Sequence, residues 1–215
     1  MVLIERNLVA LVCLGGLALV VVAFKLWAHW LVTPRLDEPI SLAARATIDR
    51  TIDLPVNDRY FLSLVFERDG KPFDDLSRLI GHSGMELIGA PSGIVIPISW
   101  ELSNIGTGAI VASGNAETKG SNSWSIGEVG RLLQAVEAPS GRHRFRAQIL
   151  RDVPEFAGVN TRIKMELIPK LAESWQMGVW SWGQALSTFI ALPAAIVLIA
   201  WVVYRGLTQG GTDGP

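Results

Sequence analysis

The chain is 215 residues long and 49% apolar, with a formal net charge of −1 and a mean hydropathy of +0.34. That hydropathy is unusual for a wholly soluble chain of one or two domains, and the near-zero charge argues against nucleic acid as a partner, which demands a strongly basic face. The one cysteine, Cys13, excludes an intrachain disulfide framework.

No charge interrupts Leu8 to Phe24, and after Lys25 the apolar run resumes with Leu26, Trp27, Trp30, Leu31 and Val32. Residues 8–32 therefore predict a helix of at least the roughly 20 residues needed to cross hydrocarbon, preceded by a short N-terminal stretch at residues 1–7. Arg6 ahead of an apolar run also fits a secretory signal. The run exceeds a signal core, however, and no small-x-small cleavage site follows it, which favours an uncleaved anchor.

From Ile48 the apolar period changes from helical to two, the mark of half-buried strands, and residues 35–172 read as one β-rich domain. Thr47 to Leu54 is a short candidate. Tyr60, Leu62, Leu64 and Phe66 then alternate with Phe61, Ser63, Val65 and Glu67 up to a turn at Asp69-Gly70. Pro72 opens a short helix, Phe73 to Ile80, with Asp74 and Asp75 in its first turn, where the macrodipole favours acids, and Gly81 as its C-cap. The clearest strand puts Ile94, Ile96, Ile98, Trp100 and Leu102 on one face and Val95, Pro97, Ser99, Glu101 and Ser103 on the other. Pro97 cannot donate to a ladder, which predicts an edge strand or a bulge there. Ala109 to Ser113 and Val129 to Val136 are further candidates, separated by Lys119-Gly120-Ser121-Asn122-Ser123, a polar hairpin connection lacking the second glycine and lysine of a phosphate loop. After the turn Pro139-Ser140-Gly141, Phe145, Ala147 and Ile149 alternate with Arg144, Arg146 and Gln148; the last strand alternates Ile163, Met165 and Leu167 with Arg162, Lys164 and Glu166. Many short strands with turns between them and one short helix predict a mainly β, antiparallel, Ig-like sandwich between two transmembrane helices.

The second span, residues 177–204, rests on the uncharged run Ala185 to Val203. Trp27 and Trp30 close the first span and Trp175, Trp180 and Trp182 open the second, so one tryptophan-rich belt falls on the side of the middle domain. Pro193 removes a helical donor and predicts a kink, while Gly15 and Gly16 on one helix and Ala191 and Ala195 on the other offer small surfaces for helix packing. Residues 205–215, rich in glycine and polar side chains, predict a disordered tail.

The stretches Tyr60 to Phe66, Ile96-Pro97-Ile98, Ser123-Trp124-Ser125, Gly141-Arg142-His143-Arg144-Phe145 and Leu150 to Gly158 together make the middle domain resemble domain of unknown function family 5625, a bacterial extracytoplasmic β-sandwich family. Where that family usually carries a tyrosine or similar aromatic two residues after the glycine, this chain has His143. The resemblance implies the fold and an extracytoplasmic setting, and it brings no active site.

Positive charge near the spans, Arg6 and Arg205 against Lys25, Arg35 and Lys170, mildly favours a cytoplasmic middle domain. Long translocated domains escape that rule, the domain holds no cysteine, and the resemblance is to an extracytoplasmic family. Together these predict a two-pass inner-membrane protein with a periplasmic middle domain and cytoplasmic ends.

No cofactor signature is present, and His29, His82 and His143 stand in no metal-ligand spacing. Arg142, Arg144 and Arg146 share one face of their strand, and Arg162 and Lys164 join them if the last two strands pair, which makes these five the candidate binding residues for an acidic partner or phospholipid headgroups. The reading that follows is a membrane-anchored interaction module with a periplasmic protein partner, of immunity type or an accessory subunit. One alternative is an envelope enzyme built on His143, Asp152 and Glu155, which requires the three to meet in a cleft; the other is a structural scaffold.

Overall fold

Two-residue alternation of burial is realised in Gly141–Ile149 and Thr161–Leu167 and over most of Ile96–Asn104, whereas Asp58–Glu67 is buried on both faces, with Phe61 and Val65 inside as well. The computed structural model describes residues 2–68, 73–81, 93–118, 123–124 and 127–209. It divides into two units, Val32–Ser174 and the helical segments on either side of it. The turn at Asp69-Gly70, Pro72, His82, Lys119 to Asn122 and Ser125 lie outside the described residues.

The middle unit is a sandwich of two antiparallel sheets. Its strands are β1 (Leu36–Pro39), β2 (Thr47–Leu54), β3 (Asp58–Glu67), β4 (Ile96–Asn104), β5 (Ile110–Thr118), β6 (Ser123–Trp124), β7 (Glu128–Ala138), β8 (Gly141–Ile149) and β9 (Thr161–Leu167). One sheet has the order β1-β9-β3-β7-β6 and the other β2-β8-β4-β5. The inner positions are those the alternation marks: Tyr60, Leu62, Leu64, Phe66, Ile163, Met165 and Leu167 from the first sheet, and Ile96, Ile98, Trp100, Leu102, Phe145, Ala147 and Ile149 from the second, all buried. Each large apolar side chain removed from water in this way contributes about 1.5–3 kcal/mol before the entropy of ordering is subtracted.

Pro97 is not at an edge, because β4 lies between β8 and β5, and the irregularity in β4 falls at Leu102/Ser103. The proline is tolerated for a different reason. Its carbonyl accepts the Leu150 N–H (3.0 Å), so its missing donor faces β8 just beyond the last ladder pair, Ile98 with Ile149. Tyr60 forms a tyrosine-corner contact: its hydroxyl donates to the Val56 carbonyl at 2.9 Å, and burial pushes its pKa up to about 12.

The short helix expected over Phe73–Ile80 forms there, with Gly81 at φ 76° in the left-handed cap position. Arg131 of β7, fully buried, secures its C-terminal end by donating to the carbonyls of Ile80 (2.6 Å) and Ile94 (2.9 Å), and its guanidinium lies 5.8 Å from the centre of the Phe66 ring. Burial lowers its pKa to about 10, still far above neutrality. Where the chain leaves the sandwich, the Asp58 carboxylate accepts the N–H groups of Glu173 (3.1 Å) and Ser174 (3.0 Å) and pins that segment to β3.

In the helical unit, Val2–Val32 forms one helix and Trp175–Gln209 a second, the latter α-helical over Trp175–Leu186 and Leu192–Gln209 with a π-helical turn at Ser187–Ala191 between. The stretches Val12–Val32 and Trp175–Arg205 are long and apolar enough to cross a membrane. The expected disturbance at Pro193 takes the form of that π turn. The Leu192 N–H reaches back five residues to the Ser187 carbonyl, re-spacing the ladder just before the proline that cannot donate. The helix also continues to Gln209, past the point at which the tail was expected to begin. Gly15 and Gly16 do not make the expected packing patch, since nothing lies within 4 Å of where their Cβ atoms would stand. The close approach is at Gly183, where a Cβ would collide with the Phe24 ring. The size of that ring leaves room only for glycine opposite it.

Candidate functional site

On β8 the inner positions hold His143, Phe145, Ala147 and Ile149, which leaves Arg142, Arg144, Arg146 and Gln148 on the outer face. The neighbouring strands fix what those arginines meet. In register, β2 sets Asp53 opposite Arg142, Thr51 opposite Arg144 and Asp49 opposite Arg146, while β4 sets Ser103 opposite Arg144, Glu101 opposite Arg146 and Ser99 opposite Gln148. Asp49 clasps two arginines. Its carboxylate accepts Arg144 Nε (2.8 Å) and Nη2 (2.6 Å) in a bidentate pair and Arg146 Nε at 3.2 Å. The hydrogen bonds from Arg144, ahead of its charge and of the contribution of Arg146, hold the Asp49 carboxyl at about 2. Beside the clasp is a groove of about 350 Å³ lined by Thr47, Asp49, Ser99, Glu101, Arg146 and Gln148 among others. Arg142 is exposed and forms no ion pair with Asp53 among the described residues.

Arg162 and Lys164 do not join this face. The last two strands do not pair: β8 lies between β2 and β4, β9 between β1 and β3, in opposite sheets. The connection from Leu150 to Asn160, with a 3-10 turn at Pro154–Phe156, crosses between the sheets instead of closing a hairpin. Arg162 stands on the outer face of the other sheet, ringed by Glu128 (3.1 Å), Asp37 (3.3 Å) and Glu67 (3.5 Å), and Lys164 pairs with Glu166 at 2.9 Å.

The trio His143, Asp152 and Glu155 does not converge. His143 is fully buried near the start of β8, its Nδ1 donating to the Gly141 carbonyl at 2.9 Å. Asp152 and Glu155 follow the opposite end of the same strand, and the six residue steps from His143 to Ile149 alone span about 20 Å of extended chain. Asp152 is occupied in accepting the Ala44 N–H (2.6 Å) at the rim of a hollow of about 480 Å³ shared with Ile40, Leu42 and Phe156, and Glu155 is exposed. Among the described residues no three His, Cys, Asp or Glu side chains are placed to hold a metal ion.

Two features escaped the sequence reading. Asp49 was visible only as an acid on the alternating outer face of β2, and its role depends on β2 pairing with β8. Arg131 sits within an apolar strand, but the carbonyls that satisfy it belong to the remote residues Ile80 and Ile94.

A family model described as Domain of unknown function (DUF5625) matches residues 37–167, well over half of the chain and nearly the whole sandwich. The chain belongs to this family. No curated protein matches it. A crystal structure of a protein from Sulfurospirillum deleyianum, 18% identical, superposes on this chain with a TM-score of 0.52, covering 63% of this chain and 98% of that one. That likeness shows the sandwich fold. A carbohydrate-binding module of Cellvibrio mixtus lichenase 5A is 10% identical over 63% of this chain and 90% of its own, but its TM-score of 0.27 carries no argument.

Proposed function

We infer that this chain is a two-pass inner-membrane protein whose DUF5625 domain stands in the periplasm and binds a protein partner through the outer face of the four-stranded sheet, as an accessory or immunity-type subunit. The observation that carries this reading is the clasp of Asp49 on Arg144 and Arg146. It orders two long, exposed side chains in advance, so less rotamer entropy is lost when a partner arrives. A guanidinium has five N–H donors, and the clasp uses only some of them. Together with the unclasped Arg142, the face suits carboxylates on a partner surface, and arginine is among the residues enriched at the centres of interfaces. The two apolar flanking helices and a cysteine-free domain support the membrane and periplasmic parts of the reading.

The binding face is tested with a photo-crosslinking residue at Gln148 in the full chain, irradiated in native membranes, with the same residue at Glu166 on the other sheet as control. A discrete adduct from Gln148 and none from Glu166 is the expected result; the reverse moves the interface to the five-stranded sheet. Orientation is tested with Ser140→Cys in a Cys13→Ser chain. An impermeant maleimide should label it in intact spheroplasts, and labelling only after lysis would place the domain in the cytoplasm.

A further inference from the structure

The helical unit contains a cleft of about 350 Å³ lined by Leu14, Ala18, Lys25, Thr188, Ala191 and Ala195 among others. Its lining is mostly apolar, and its one charged member, Lys25, donates through Nζ to the Gln184 amide oxygen. That bond orients the ammonium without neutralising it. The second helix has no acidic residue, and Glu5, the only acid on the first, lies about 30 Å along the axis from Lys25 at 1.5 Å per residue. Trp27 and Trp30 follow Lys25 closely, and Trp180 and Trp182 shortly precede Gln184, so the cation lies close to an aromatic belt of the kind that marks headgroup depth. From there the cleft extends along the helix to Leu14, about 16 Å deeper. The π turn at Ser187–Ala191, a feature frequent at functional sites, supplies part of its wall.

We propose that this cleft binds one anionic phospholipid, its phosphate held by Lys25 and an acyl chain lying along Leu14, Ala18, Ala191 and Ala195. Charge decides between occupants. A protein helix would have to carry an acid to this depth at considerable cost, whereas a lipid phosphate already stands there. The inference rests on the membrane-spanning reading of the two helices.

The test uses the full chain in non-ionic detergent, with native mass spectrometry in equimolar phosphatidylglycerol and phosphatidylcholine of identical acyl chains. The wild type should retain one phosphatidylglycerol with about fivefold preference, the effect of one lysine at the headgroup level. Lys25→Met should abolish the preference, Lys25→Arg should keep it, and Ala195→Phe should lower occupancy by both lipids. Equal retention of the two lipids by the wild type, or an unchanged preference in Lys25→Met, overturns the proposal. So does displacement of the lipid by equimolar inorganic phosphate, which would indicate an anion site alone, or an Ala195→Cys chain, in a Cys13→Ser background, that cross-links to a second copy through the cleft. Carbonate extraction of membranes separates the two readings. A chain that washes off refutes the membrane assignment, and one that stays embedded without lipid preference refutes only this site.

Discussion

The outer faces of the two sheets use the same ingredients in inverse arrangements. On the four-stranded sheet one carboxylate, Asp49, holds two arginines, while Arg142 stands opposite Asp53 and Arg146 opposite Glu101; on the five-stranded sheet one arginine, Arg162, is held by Asp37, Glu67 and Glu128. The first arrangement leaves guanidinium donors for an incoming acid, and the second leaves carboxylate oxygens. Exposed ion pairs contribute only about 0–1 kcal/mol each, so the contrast concerns what each face attracts far more than how stable it is.

The contrast presupposes a formed core beneath both faces, and the largest expected effect comes from removing it. Trp100, 2% exposed and inward on β4, should not tolerate Trp100→Asp: loss of the side chain alone costs about 3–5 kcal/mol, and an unpartnered buried carboxylate adds to that. Its outward neighbour Glu101, opposite Arg146, should tolerate Glu101→Lys within about 1 kcal/mol. Denaturant melts of the full chain check the pair, and similar losses for both would refute the register of β4.

A smaller effect tests the acidic face. Arg162→Glu places a fourth carboxylate among three and should cost roughly 1–2 kcal/mol, partly recovered at high salt as the Debye length shrinks. A loss insensitive to salt would mean that the arginine acts by packing and not by charge.

The smallest effect concerns Asp49 itself. Its carboxyl titrates at about 2 in the fold against about 3.9 in an unfolded chain, so its stabilisation is present above pH 4 and fades as pH falls through 2. Because the side chain is nearly half exposed, solvent screening keeps that contribution under about 1 kcal/mol. Asp49→Asn should therefore lower stability slightly at pH 7 and by less at pH 2. A deficit equal at both pH values would contradict the clasp.

Much of the sandwich was legible because alternation is a local property: the inward sets of β3, β4, β8 and β9 follow from residue type alone. Pairing was not. Strands β8 and β9 are consecutive, and sequence neighbours often pair, yet the stretch from Leu150 to Asn160 exceeds the about 2–5 residues of a hairpin loop. That length was the available signal that the chain changes sheets there, and with it that Arg162 and Lys164 leave the company of Arg142, Arg144 and Arg146. Pro97 misled for a related reason, since what matters for a strand proline is whether the ladder has ended on its donor side, which depends on the partner strand. The burial of Arg131 likewise depends on carbonyls distant in sequence.

The most direct measurement of the central claim compares charge reversal on the two faces. The full chain, affinity-tagged in native membranes, is prepared with Arg142, Arg144 and Arg146 all changed to glutamate, and separately with Lys164→Glu, and co-purifying protein is quantified at low and moderate salt after each variant is shown to melt cooperatively. Reversal at a complementary surface lowers the association rate and adds like-charge repulsion, so the triple variant should lose the partner recovered by the wild type, while Lys164→Glu should retain it. Full retention by the triple variant, or loss confined to Lys164→Glu, would contradict the assignment of binding to the four-stranded face.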